Sequence, residues 1–273
     1  MRNFAEESKV HSETLGFDLS TLEQGTGNWH KARAGVITAS KAYILLMDDK
    51  VAPFPSGVEI KVISKGVNQV VFGGEVFTGT KAACTSFVRG KLSPIKSDTK
   101  MTYMDELMAS IATGLITDEI KAKPLQWGKD HEEAARDAYS ARTFETIEEQ
   151  GFIYKDPSMR CGASPDGLIF GKPKGLELKA PYNSGVFMAF AGRDVIKPQE
   201  IIQCQYSMWV TGYDSWGFAK YDPRNVNCKK LHVVEIKRDE VMIKKLEEGA
   251  KSFIDEMDIA LEKLGMSFGM QWE

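Results

Sequence analysis

The sequence predicts an α/β (α+β) domain: a mixed central sheet flanked by helices, with a β-rich insertion near residues 51–93. Three observations carry this. Short β-type runs joined by turn residues cluster between 150 and 181, apolar residues at helical spacing lie on both sides of that cluster, and two further strand-like runs precede a long amphipathic segment at the end. Helices, a strand cluster, helices, strands and a helix, in that order, make a sheet covered by helices. A chain of 273 residues, 42% hydrophobic and 27% charged, has ample material for one core. With no repeat and no low-complexity linker, residues 1–273 read as a single domain.

The elements follow in chain order. NWHKARAGVITASKAYILLM (28–47) opens as a Trp-bearing loop, after which Thr38 or Ser40 is placed to cap a short apolar helix running to Met47. Residues 51–93 differ in texture: VEIKVI, NQVVF and GEVF are β-branched and broken by Gly66, Gly73-Gly74 and Gly79, which reads as one or two hairpins. Helical spacing returns at 102–115, closed by Gly114, and again as one helix over 125–144. GFIYKD, MRCGASP, GLIF and GLELKAP are short strands joined by Asp-Pro, Pro-Asp-Gly and Gly-Lys-Pro turns. Helices are expected at 184–191 and 198–211, strands at 215–221 and 231–236, and a long helix capped by Asp239 that ends at Leu264-Gly265.

Bulk features exclude several classes. No apolar run has signal-peptide or membrane-span length, so no membrane association is expected and a cytoplasmic location is the default. Cys84, Cys161, Cys204 and Cys228 are widely spaced and form no zinc-type pattern, which fits a reduced compartment. The net charge of −3 gives no global attraction to nucleic acid, yet residues 50–100 carry eight Lys/Arg against Glu59, Glu75 and Asp98. Any basic surface is therefore local.

One stretch holds unusual chemistry. In LELK, Glu177 and Lys179 are two apart on a strand and share one face, while Leu176 and Leu178 share the other. Either they form a surface ion pair or they line a site. Eleven residues upstream of Glu177, Ser164-Pro165-Asp166-Gly167 places an aspartate in a tight turn, and a hairpin would set it beside Glu177. Phosphodiester hydrolysis at neutral pH uses a hard divalent metal held by carboxylate oxygens and a group that orients or deprotonates water. Asp166, Glu177 and Lys179 have the residue types and the spacing for it, a pattern shared with the PD-(D/E)xK nucleases.

The resemblance extends beyond that motif. NWHKARAGVITAS, LQWGKDHEEAAR, SMRCGASPDGL, GLELKAP, QCQYSMWVTG and FAKYDPR resemble, in order and nearly in spelling, the YqaJ-like viral recombinase family to which the phage lambda exonuclease belongs, over about residues 20–48 and 96–273. The resemblance implies a type II restriction endonuclease-like fold and a homotrimeric ring. It also implies 5′ to 3′ digestion of one strand at double-stranded DNA ends, leaving a 3′ overhang for recombination inside a bacterial host. It implies Mg²⁺ as cofactor, with Mn²⁺ substituting, and a single-strand annealing protein as partner. By position, Asp166 and Glu177 correspond to the metal carboxylates, the Leu178 carbonyl to a further ligand, Lys179 to the catalytic lysine, and Glu132 to a helix-borne acid near the metal. Gln203 corresponds to a glutamine that contacts the attacking water. Arg33 and Ser40 correspond to residues that hold a terminal 5′ phosphate, and Ser164 would help line that pocket.

The chain also departs from the family. Asn183-Ser184-Gly185 stands where the family carries an arginine, with Lys197 or Arg193 as candidate replacements, and residues 51–93 have no recognised counterpart. That segment is short of acids and carries Lys61, Lys65, Lys81, Arg89 and Lys91, so it reads either as a phosphate-contacting element or as a hairpin that packs on another subunit. A sequence-specific endonuclease on the same fold and a non-catalytic DNA-binding protein are the competing readings; the second normally lacks an acid or the lysine, and all three are here.

Overall fold

The computed structural model describes residues 2–93, 95–115 and 123–273. The chain falls into two compact units, one made of Met1–Leu46 with Tyr103–Glu273 and the other of Met47–Thr102. In chain order, α1 (Phe4–Leu15), α2 (Gly27–Arg33), β1 (Ile37–Thr38) and a 3-10 helix (Ala39–Leu46) come first. Next are β2 (Ile60–Ser64), β3 (Val67–Phe72), β4 (Glu75–Gly79), α3 (Lys81–Gly90), α4 (Asp98–Thr113), α5 (Lys123–Asp130) and α6 (Glu132–Thr143). The strand cluster is β5 (Ile147–Glu148), β6 (Ile153–Tyr154), β7 (Cys161–Ala163), β8 (Gly167–Ile169) and β9 (Lys174–Lys179). It is followed by α7 (Ser184–Arg193), α8 (Pro198–Thr211), β10 (Ser215–Tyr221), β11 (Leu231–Lys237) and α9 (Glu240–Lys263).

The larger unit is built on a mixed five-stranded sheet in the order β11-β10-β9-β8-β5. Within this sheet, among the described residues, β9 and β10 pair in parallel and the other ladders are antiparallel. A parallel pair needs a crossover, and α7 and α8 supply it. As the central strand, β9 is buried on both faces. Leu176 and Leu178 pack with Ala135 and Tyr139 of α6, Ile169, Ala219 and Leu231. On the opposite face Gly175 lies against Trp216, where an added Cβ would come within 2.2 Å of the indole, so no side chain larger than hydrogen fits. The same face of β10 carries Phe218, packed edge-on against Phe190 of α7 at 5.4 Å between ring centroids.

The helices are set by their ends and apolar faces. α8 has Pro198 in its first turn and ends at Gly212, whose φ of 75° is the left-handed stop that glycine adopts without strain. α9 starts at Asp239, which accepts from the Val241 and Met242 amides, and buries Ile243, Leu246, Ala250, Phe253, Met257 and Leu261 at helical spacing. A second core joins Leu15, Leu19, Leu22, Trp29 and Ala32 to Phe152, Tyr154 and Trp272, tying the first helices to the last residues of the chain.

Several sequence expectations change. The Trp-bearing loop is α2, capped by Thr26, whose side chain accepts from the Trp29 amide. The apolar run after it is a 3-10 helix, with Thr38 in β1 rather than at a helix cap. The single helix over 125–144 is two, α5 and α6, separated at His131, whose backbone leaves helical geometry while its ring stacks on Trp127 at 3.8 Å. GFIYKD and MRCGASP contribute β6 and β7 to a separate three-stranded sheet with β1, not to the five-stranded one. In the smaller unit the hairpins are one antiparallel meander, β2-β3-β4, and the last part of the segment is helix α3, capped by Thr80. Val70, Cys84 and Val88 form the buried heart of that unit, and Phe77 stacks on Phe87 at 4.7 Å.

One charged clasp locks α6 to the sheet. Glu145 accepts from the Tyr139 hydroxyl at 2.9 Å, from Lys172 at 2.8 Å and from Lys174 at 2.9 Å. Burial disfavours its ionised form, but the donors outweigh that and bring its pKa down to about 2. The clasp is therefore fully present above the ordinary carboxylate value of 4.5 and is lost as pH falls from there toward about 2. In urea unfolding across that range, Glu145→Gln should be less stable than the parent at neutral pH and show a flatter acid limb; a limb unchanged in slope would mean that other carboxylates govern acid stability.

Candidate active site

The turn and the strand come together as a hairpin. β8 and β9 pair antiparallel with Gly167 opposite Leu176, and the Asp166 amide donates to the Leu176 carbonyl at 3.2 Å. This sets the Asp166 carboxylate against β9, where its Oδ2 accepts from the Leu178 amide at 2.6 Å. Glu177 is 2% exposed, on the face turned away from the leucines. Its Oε1 accepts from the Lys179 ammonium and, at 2.7 Å, from Gln203 Nε2 on α8. Asp166, Glu177, Lys179 and Gln203 thus form one cluster.

Charge is crowded here. Burial first, and then the neighbouring Glu177, raise the Asp166 pKa well above the usual carboxylate range. For Lys179, burial pulls the ammonium pKa down, but Glu177 and Asp166 outweigh it and hold the value above that of an ordinary lysine. The lysine is therefore a charged donor at neutral pH.

Glu132 stands at the start of α6, close enough to Asp166 to raise its pKa, but it is held by Arg136 at 2.9 Å. Arg136 also reaches Glu149 at 2.8 Å and the Asp166 carbonyl at 3.2 Å. Sequence reading missed Arg136, although Glu and Arg four apart on a helix are a signal for such a pair. Among the described residues no three His, Cys, Asp or Glu side chains are already gathered as a metal cage. The donor set still fits a hard divalent ion, because Mg²⁺ commonly uses one or two carboxylates and keeps several waters. Asp166 and Glu177 are two buried carboxylates beside the Leu178 main chain, and burial first, with Glu177 and Glu132 adding to it, disfavours the charged form of Asp166, which a cation would favour.

The remaining candidates lie a short way off. Arg33 and Ser40 line one cavity of about 140 Å³ with Thr38, Lys41 and Tyr103. The Arg33 guanidinium lies over the Trp29 ring at 3.8 Å. Ser164 does not line that cavity; its hydroxyl accepts from the Trp29 indole N–H at 2.9 Å, so Trp29 links it to Arg33. Lys41 and Tyr103 were not singled out in the sequence, and no local motif marks them. Lys197 and Arg193 are exposed and line no part of this cavity. A larger cleft of about 660 Å³ opens beside Asp166 and Glu132 and is also lined by Trp29, Lys129 and Arg136.

The sequence pattern of the YqaJ-like viral recombinase domain matches residues 73–214, just over half of the chain. The chain belongs to the YqaJ-like viral recombinase family. The match begins inside the segment for which sequence reading found no counterpart, so part of that segment is shared with the family. The YqaJ-like chain is 46% identical to the protein ExoD of Escherichia coli (strain K12) over 81 residues, which are 30% of this chain and 92% of that protein. Two crystal structures of an alkaline exonuclease, LHK-Exo, are similar to it in fold. The one described as from Laribacter hongkongensis superposes with a TM-score of 0.65 at 25% identity, covering 88% of this chain and 96% of the other. The complex of LHK-Exo with dAMP gives 0.64 at 26% identity over the same shares. The fold is therefore restriction-endonuclease-like, and the YqaJ-like protein is a nuclease with an exonuclease role on DNA.

If Lys179 is the donor at the cleavage centre, Lys179→Ala should retain its fold by circular dichroism and its DNA affinity while cleavage falls by about 10²- to 10⁴-fold, the usual contribution of a proton-transfer group. Turnover close to the parent would remove Lys179 from that role.

Proposed function

We propose that this exonuclease is metal-dependent and digests one strand of linear double-stranded DNA from the 5′ end, leaving a 3′ single-stranded overhang for phage-type recombination. The observation that carries this reading is the cluster in which the Asp166 carboxylate stands against β9 beside the Glu177–Lys179 pair, with Gln203 bonded to Glu177. Mg²⁺ is the proposed ion, with Mn²⁺ substituting; when bound it supplies Lewis acidity toward the scissile phosphate. Asp166, Glu177 and the Leu178 carbonyl would hold it, with Glu132 contributing directly or through water. The Lys179 ammonium would orient the attacking water by donating to it, and the Gln203 amide, gathered on the same Glu177 oxygen, would contact that water.

The neighbouring cavity supports the proposed direction of attack. Arg33 offers a planar fork of donors to phosphate oxygens and Ser40 adds a hydroxyl, while Lys41 in the same cavity is paired with Glu106 at 3.7 Å. A terminal 5′ phosphate seated there leaves the next phosphodiester for the carboxylates. The dAMP in the LHK-Exo complex is the kind of mononucleotide that such stepwise digestion releases. The proposal further includes a homotrimeric ring around duplex DNA, a single-strand annealing protein that takes over the exposed strand, and a cytoplasmic setting. Among the described residues no helix is long and apolar enough to cross a membrane.

The test uses linear duplexes bearing a 5′ phosphate or a 5′ hydroxyl, with closed circular DNA as control, each with and without Mg²⁺. Digestion should require the ion, prefer the phosphorylated end and spare the circle; a cut circle would favour the endonuclease reading. Arg33→Ala should lose rate mainly on phosphorylated ends, and equal loss on both ends would give Arg33 another task.

The smaller unit is proposed to contact phosphates through Lys61, Lys65, Lys81 and Arg89, which are exposed and form no ion pair among the described residues. Lys91 is instead tied to Glu75 at 2.5 Å. Each neutralised phosphate steepens the log-log fall of affinity with salt by about 0.9. Replacing residues 55–90 by a short Gly/Ser linker should therefore flatten that slope while the oligomer survives. An unchanged slope with a dissociated oligomer would make the segment an assembly element.

A further inference from the structure

Lys220 lies in β10 and is only 1% exposed. Its ammonium donates to Glu200 Oε2 at 3.0 Å and lies 5.3 Å from the ring centroids of both Phe190 and Phe218. A buried ion pair is a poor explanation of stability, because removing both charges from water costs about as much as their attraction returns, and apolar replacements are often neutral or better. Such a pair is better explained by the geometry it fixes.

Both ends of this pair sit next to the cleavage centre. Lys220 is the cross-strand partner of Lys179 on β9, so the two lysines share one face of the sheet. Glu200 is in the first turn of α8, where its carboxylate also accepts from the Lys197 amide at 3.0 Å. Three residues on, roughly one turn along the same helix face, Gln203 donates to Glu177 at 2.7 Å. The pair thus pins the first turn of α8 to β10, one strand away from the carboxylate that Gln203 must reach. It also settles a competition. Two ammonium groups on adjacent strands face a sheet side where Glu177 is buried, and Glu200 draws one of them toward the helix.

We infer that the Glu200–Lys220 ion pair is a positioning device for cleavage, setting Gln203 on Glu177 and reserving Glu177 for Lys179. The inference rests on the role proposed above for Gln203. Neither partner touches the substrate; both act through their neighbours.

The experiment uses the full chain with Mg²⁺ on a linear 5′-phosphorylated duplex. Because Lys220→Met alone leaves a half-buried carboxylate without its ammonium and endangers folding, the working variant is the uncharged pair Glu200→Gln/Lys220→Met. It should melt at or above the parent temperature and keep KM, while kcat falls about ten- to a hundredfold, the scale of a small misplacement of a reacting group. In a Gln203→Ala background the same pair of changes should cost little more, since the device acts through Gln203. Parent-like kcat in the uncharged pair, or a loss that multiplies fully with that of Gln203→Ala, overturns the inference and leaves the Gln203 assignment standing. A Gln203→Ala enzyme that cuts at the parent rate overturns both.

Discussion

A carboxylate in the middle of a sheet must be compensated, and Glu177 is such a group, 2% exposed on the central strand β9. An uncompensated buried charge costs several kcal/mol, a large part of the total stability of an ordinary domain. Its compensation comes from two directions: Lys179 two residues along the same strand, and Gln203 from the helix above. The strand cannot slip by one residue without turning Glu177 into the leucine-lined core on α6 and Leu178 toward α8. The register of β9 between β8 and β10, the crossover through α7 and α8, and the seating of α8 are all consistent with this one placement.

Asp166 then adds a second negative group where one is already costly. The turn that carries it is held by its own amide on Leu176, by the Leu178 amide on its carboxylate and by Arg136 on its carbonyl. The two carboxylates are therefore held together by backbone pairing, and burial first, then the nearness of Glu177, raises the Asp166 pKa. Polar groups held rigidly in place do not reorganise when charge develops beside them. Lys179 and Arg136 balance part of the excess from opposite sides, one on Glu177 and one on Glu132.

What could be read in the sequence was what local chemistry dictates. The alternation in LELK, the Pro-Asp-Gly turn and the cap at Asp239 depend on neighbours within a few residues, and the structure has the hairpin and the helix they require. The break at His131 was not legible, because Trp127, His131, Ala135 and Tyr139 keep a helical spacing of four across it and the interruption comes with a ring stack on Trp127. The division of the strand cluster into two sheets was equally hidden. β6 and β7 join β1 from more than a hundred residues upstream, a pairing that no local pattern announces. Helix α3 was lost among β-branched neighbours, although Thr80 followed by KAACTSF is a capped helical start. Resemblance placed Arg33 and Ser40 in one pocket, which they line, and placed Ser164 there as well, whereas its hydroxyl is taken by Trp29.

The buried charges outside the carboxylate cluster follow the same physics with a different outcome. Asp222 is wholly buried and answered by Arg224 through a two-point contact, Nε to Oδ1 at 2.8 Å and Nη2 to Oδ2 at 3.0 Å. The same arginine donates to the carbonyls of Pro181 and Tyr182, just beyond Lys179, and lies over the Trp127 ring at 4.4 Å. A planar fork with five donors can hold a carboxylate, two carbonyls and an aromatic face at once, which a lysine cannot. The YDPR stretch thereby braces the exit of β9 against the helix that leads to Glu132. Charge pairing of this kind costs desolvation energy and returns geometry, and geometry is what a nuclease needs where a water, a phosphate and an ammonium must meet within a fraction of an ångström.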